Sequence, residues 1–90
     1  MYTIDQTETF QRTAQKFFKK HPELLVKFGE VITTLQHDPF SHTLKTHKLK
    51  GDLSAYHACR LTYEYRIVLT LIMNDEQIIL MDIGSHDDVY

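Results

Sequence analysis

The sequence predicts an α+β fold of two layers, an N-terminal helical hairpin packed on an antiparallel sheet of three to four strands. Apolar residues recur at helical spacing as far as His37. Beyond that point the period changes to two, most clearly from Tyr65 to Met73, with strand-like runs on either side. Ninety residues supply one small core, so residues 1–90 read as a single domain.

Tyr2-Thr3-Ile4 is a short β-prone opening. Asp5 or Thr7 suits a helix N-cap, because a side-chain oxygen there accepts from a backbone N–H with no helical partner. ETFQRTAQKFFKK follows, with Phe10, Ala14, Phe17 and Phe18 on one stripe and Arg12, Gln15, Lys16 and Lys19 opposite. His21-Pro22 breaks this helix and begins the next, since proline's missing N–H costs nothing in a first turn. Leu24, Leu25, Phe28, Val31, Ile32 and Leu35 carry the second helix to about His37, where Asp38-Pro39 ends it. The short link between the two makes an antiparallel hairpin. Residues 39–54 show little periodicity and are expected to be a connecting loop.

Three strands are expected next, over Tyr56–Leu61, Tyr65–Met73 and Gln77–Ile83, with a turn at Asn74-Asp75. In the middle strand Tyr65, Ile67, Leu69, Leu71 and Met73 share one face, which suits burial against the helices. Arg66, Val68, Thr70 and Ile72 share the other, which is partly solvated and offers a shallow groove. A sheet of this size cannot also enclose a deep cofactor pocket.

Composition narrows the function classes. The single cysteine, Cys59, excludes an internal disulfide and is most simply a small core residue. His42, His47 and His57 lack zinc-site spacing. The chain has no run of 18 apolar residues and no secretory h-region, so a cytoplasmic protein with no membrane partner is expected. Net charge is −2, yet residues 42–66 hold five basic residues (Lys45, Lys48, Lys50, Arg60, Arg66) against Asp52 and Glu64. Residues 67–90 hold five acidic residues and no Lys or Arg. The basic segment can meet a phosphate backbone or can be an ordinary solvated loop.

HKLKGDLSAYHACRL, then YEYRIVL, then a closing IGSHDDVY resemble the RelE/ParE toxin superfamily. The features that carry the likeness are Leu49-Lys50-Gly51, Arg60, Tyr65-Arg66 and Gly84-Ser85-His86-Asp87-Asp88-Val89-Tyr90. Within it, His47 to Tyr90 are most similar to the YafQ-like branch of ribosome-dependent mRNA endonucleases. That branch has histidines where His47 and His86 stand, an acidic–aromatic pair where Glu64-Tyr65 stand, and a terminal aromatic at Tyr90. Arg60 departs from it, standing where the branch has a further histidine. The resemblance implies a toxin of a type II toxin–antitoxin system, with a cognate antitoxin as partner and the ribosome and mRNA as targets. ParE-like inhibition of DNA gyrase, or a degenerate non-catalytic binding module, are the other functions within the superfamily.

The chemistry fits those residue types. Cutting RNA through its own 2′-OH needs a base, an acid for the departing 5′ oxygen, and cations for the charge on phosphorus. It requires neither metal nor small-molecule cofactor. His86 is then the expected acid, and His47 or Glu64 the base. Arg60 and Arg66 stabilise the phosphate, and Lys48 and Lys50 make weaker backbone contacts. Tyr90 or Tyr65 stacks on a base or orients the nucleophile. Each has a plainer alternative: His86 as a turn residue, Arg66 paired with Asp82 or Glu64, Glu64 solvated, Tyr90 as an apolar anchor.

Overall fold

The computed structural model describes residues 1–89, apart from the side chains of Asp87 and Asp88. A short strand β1 (Thr3–Gln6) leads into helix α1 (Glu8–Lys20), and a single 3-10 turn at Pro22–Leu24 links this to α2 (Leu25–His37). Strands β2 (His47–Lys48), β3 (His57–Arg60), β4 (Tyr65–Ile72) and β5 (Gln77–Ser85) follow, then a short helix α3 (His86–Val89).

The helices form where the pattern places them. Thr7 is the cap of α1, its Oγ1 accepting from Phe10 N at 3.0 Å. Lys19 and Lys20 lie in the last turn, where cations complement the helix dipole. Phe10 and Leu35, each almost fully buried, bring α1 and α2 down onto one face of the sheet, over Leu61, Ile67, Leu69 and Ile78. The odd-numbered face of β4 is therefore the covered one.

The sheet differs from expectation. Among the described residues it has five strands in the order β1-β5-β4-β3-β2, and it is mixed rather than antiparallel throughout. β1 runs parallel to β5, with Thr3 opposite Gln77 and Gln6 opposite Leu80. Its backbone anchors are Thr3 N to Glu76 O at 2.8 Å and Thr7 N to Leu80 O at 3.1 Å. β1 takes up the β-prone opening, whereas β2 is a new strand inside the region expected to be loop. It pairs with β3 through His47–Ala58 and Lys48–His57. Both strands are short and mostly exposed, so neither leaves the alternation that marks a half-buried strand.

The face away from the helices carries a second, smaller apolar cluster of Leu49, Ala58 and Val68. Leu53, Tyr56, Met81 and Val89 pack against it. A bulge makes the join: Val68 faces Asp82 but Leu69 faces Leu80, so Met81 is the extra residue. Because Val89 reaches this cluster, α3 turns the chain back over the open face.

Candidate active site

Strand register builds the open face. His47 is the Cα partner of Ala58, Ala58 of Val68, and Val68 of Asp82. Directly opposed residues of an antiparallel pair project to the same side. His47 thus stands beside the apolar floor of Ala58 and Val68. Two residues along the strands a second row runs Arg60, Arg66, Gly84. The chain leaves β5 two residues after Gly84, at His86, which is exposed. With inter-strand steps of about 4.8 Å, β2 and β5 are about 14 Å apart. On this face His47 lines a shallow pocket with Lys48, Leu49, Lys50 and Leu53.

His47 is the best-defined group in it. Its Nδ1 lies 2.9 Å from Lys45 O. A carbonyl only accepts, so Nδ1 carries the hydrogen and Nε2 of the neutral ring keeps its lone pair. Lys45 presents that carbonyl from a left-handed backbone conformation, φ 53°. The hydrogen bond thereby fixes the tautomer of the exposed ring.

The arginines behave differently from one another. Arg66 Nη1 donates to Thr62 O, Tyr63 O and Tyr65 O at 2.9, 3.0 and 3.3 Å. It clasps the β3–β4 turn, and it forms no ion pair with Asp82 or Glu64 among the described residues. Arg60 ends β3 at the rim, where it also borders a cleft against α2 with Lys27, Glu30 and Thr34. Its Nε is buried and has no hydrogen-bond partner among the described residues.

Other candidates fall away from the groove. Tyr65, expected to meet RNA, is on the helix-covered face. Its ring lies 5.0 Å from Phe17 and 4.9 Å from His21, centre to centre. Strand alternation puts it with Ile67 and Leu69, half-buried and away from the open face. Lys48 alternates to the side opposite His47, beside His57, while Lys50 follows Leu49 on the exposed rim. Glu64 sits in the β3–β4 turn, where its backbone N donates to Thr62 Oγ1 at 3.3 Å. His47 is on β2 opposite Ala58, away from that turn, so the two are separate candidates for the base. Tyr90 lies outside the described residues.

His57 and Asp82 were not candidates in the sequence. His57 lies beneath β2, its pKa lowered first by burial and then by the charges of Lys48 and His47. Asp82 closes the row begun by His47, and its Oδ1 accepts from Ile83 N at 2.9 Å. The β5 bulge sets its register, and nothing in the local sequence signals that. Among the described residues no group of three His, Cys, Asp or Glu side chains is placed to hold a metal ion, and no helix is long and apolar enough to cross a membrane.

The model of the YafQ family, bacterial toxins of type II toxin–antitoxin systems, matches residues 2–90. The chain belongs to this family. Solved structures agree with the assignment. A metal-bound toxin from Helicobacter pylori superposes with TM-score 0.79 at 25% identity, covering 100% of both chains. YafQ from E. coli strain BL21(DE3) superposes with TM-score 0.81 at 16% identity, over 100% of this chain and 99% of that one. A YoeB/ParE toxin from Agrobacterium tumefaciens gives 0.76 at 22% identity, over 96% and 99%. The last two likenesses are of fold. No curated protein matches by sequence. Within the YafQ-family fold, strand register puts His47, Arg60 and Arg66 of this chain on the open face.

Proposed function

We propose that this YafQ-family toxin is a ribosome-dependent mRNA endonuclease that cleaves RNA by attack of its own 2′-OH. The observation that carries the reading is His47: its tautomer is fixed by Lys45 O, which leaves Nε2 of the neutral ring as the proton acceptor. Nε2 takes the 2′-OH proton as the 2′ oxygen bonds to phosphorus. The P–O5′ bond breaks, and His86 protonates the departing 5′ oxygen, leaving a 2′,3′-cyclic phosphate and a 5′-OH. Arg60 binds the phosphoryl oxygens through its fork of donors as negative charge builds there. Each proton and charge role has a protein group, so the route calls for no metal.

The shape of the site supports dependence on the ribosome. A shallow face with few cations holds a flexible single strand weakly, so the RNA must be presented already ordered. E. coli YafQ has been solved in complex with DinJ. For this chain a cognate antitoxin segment laid over the same face, with acidic side chains toward Arg60 and Lys50, is the corresponding means of neutralisation.

Induced expression of the wild type and of His86→Ala, followed by primer extension on cellular mRNA, tests the reading. Wild type should arrest growth with codon-positioned cuts, and the variant should lose both by a factor of at least about 100, in line with removal of a general acid. Growth arrest without cuts but with loss of DNA supercoiling would instead establish the ParE-like function. No arrest at all would leave a binding module.

A further inference from the structure

The β3–β4 turn carries an aromatic residue that packing does not explain. Tyr63 is 82% exposed, whereas Tyr65 is packed among rings on the other face. A tyrosine in water forgoes most of what burial would contribute.

The turn beneath Tyr63 is nevertheless fixed. Besides the three carbonyls held by Arg66 Nη1, Thr62 Oγ1 accepts from Glu64 N at 3.3 Å and Tyr65 N at 3.2 Å. Leu61 N and Thr62 N both donate to Tyr65 O, at 2.9 and 3.2 Å. A ring on so constrained a backbone loses little further freedom when a ligand settles on it.

Its neighbour is a cation. The guanidinium carbon of Arg60 lies over one face of the Tyr63 ring, 5.9 Å from its centre, while the residue as a whole is 82% exposed. An exposed ring backed by a guanidinium matches one kind of ligand, a flat ring joined to a phosphate. An apolar protein side chain would use the ring and leave the fork idle.

We propose that Tyr63 and Arg60 form a nucleotide-binding site for single-stranded RNA, the base stacking on Tyr63 and its phosphate on Arg60. The nucleotide is the one flanking the scissile bond, because Arg60 opens the row that continues to Arg66 and Gly84. This rests on the nuclease reading of the open face, and it replaces Tyr65 with Tyr63 as the stacking residue.

The test uses the full chain and a short RNA carrying 2-aminopurine, with a 2′-O-methyl group at each position to block cleavage. Binding should quench the 2-aminopurine. Tyr63→Ala should bind about tenfold more weakly and lose the quench, while Tyr63→Phe stays within about twofold of wild type. An abasic RNA should bind the wild type no better than the intact RNA binds Tyr63→Ala. An unchanged melting temperature in each variant excludes misfolding as the cause.

Equal RNA binding and quenching by Tyr63→Ala overturns the site, even if the protein proves to be the proposed nuclease. Quenching that depends on Tyr63 supports the site, even if His86→Ala shows that the nuclease reading fails. No RNA binding by the wild type at low salt and near-millimolar protein, where a weak site still fills, overturns it as well. Weakening of the antitoxin complex alone by Tyr63→Ala also overturns it and assigns the ring to a protein interface.

Discussion

At the scale of single residues, burial decides what a side chain can do. Cys59 is fully buried on β3. Loss of hydration raises its pKa to about 12, against which the nearby charge of Arg66 works only weakly. The thiolate is the reactive form, so the native thiol should be inert. Iodoacetamide at pH 8 should leave folded protein unmodified over hours and label the guanidinium-unfolded chain within minutes. Labelling of native protein at the unfolded rate would show that β3 opens freely. Tyr65 illustrates the same rule. Alternation alone groups it with Ile67 and Leu69, whereas the family resemblance assigned it to RNA. The packing followed the alternation. Tyr63, which has no periodic signal in either direction, was legible only once the turn was seen to be tied.

At the scale of elements, long and strongly patterned segments were readable and short edge segments were not. α1 occupies the thirteen residues that its stripe and cap indicate. β1 was readable as a β-prone opening, but its parallel pairing with β5 was not, and β2 escaped because an exposed strand of two residues has no face to bury. The β2–β3 edge is also where the stability of the site should respond to acid. His57 is half-buried there with its Nδ1 unpartnered among the described residues. Phe40 lies 5.8 Å away, centre to centre, and Lys48 and His47 are the charges that act on it. Its folded pKa lies below the ordinary 6.5, so the unfolded chain takes up the proton first as pH falls. The stabilisation is complete above about pH 6.5 and is lost as pH drops through the lowered folded value. Melting temperature should therefore decline between pH 7 and pH 5. His57→Gln, which keeps a polar side chain but cannot titrate, should flatten that decline. An equal slope in the variant would place the acid sensitivity elsewhere.

At the scale of the whole molecule, the division into a helix-covered face and an open face organises everything else, and charge follows a different division. The chain carries a net charge of −2, so its field alone does not draw in a polyanion. On the open face the permanent cations at hand are Lys50, Arg60 and Arg66, and Arg66 is partly spent on its own turn. The opposite layer has the denser set, with Arg12, Lys16, Lys19 and Lys20 on α1. Salt dependence separates the two. For single strands the slope of log K against log salt is about −0.7 per phosphate neutralised. RNA held on the open face should give a slope of about −2 or shallower, with Arg60→Ala reducing it by about 0.7 and Lys16→Ala leaving it unchanged. A slope near −3 that becomes shallower on Lys16→Ala would move the RNA to the helical layer. His47, on the open face, would then be too far from the bound strand to cut it.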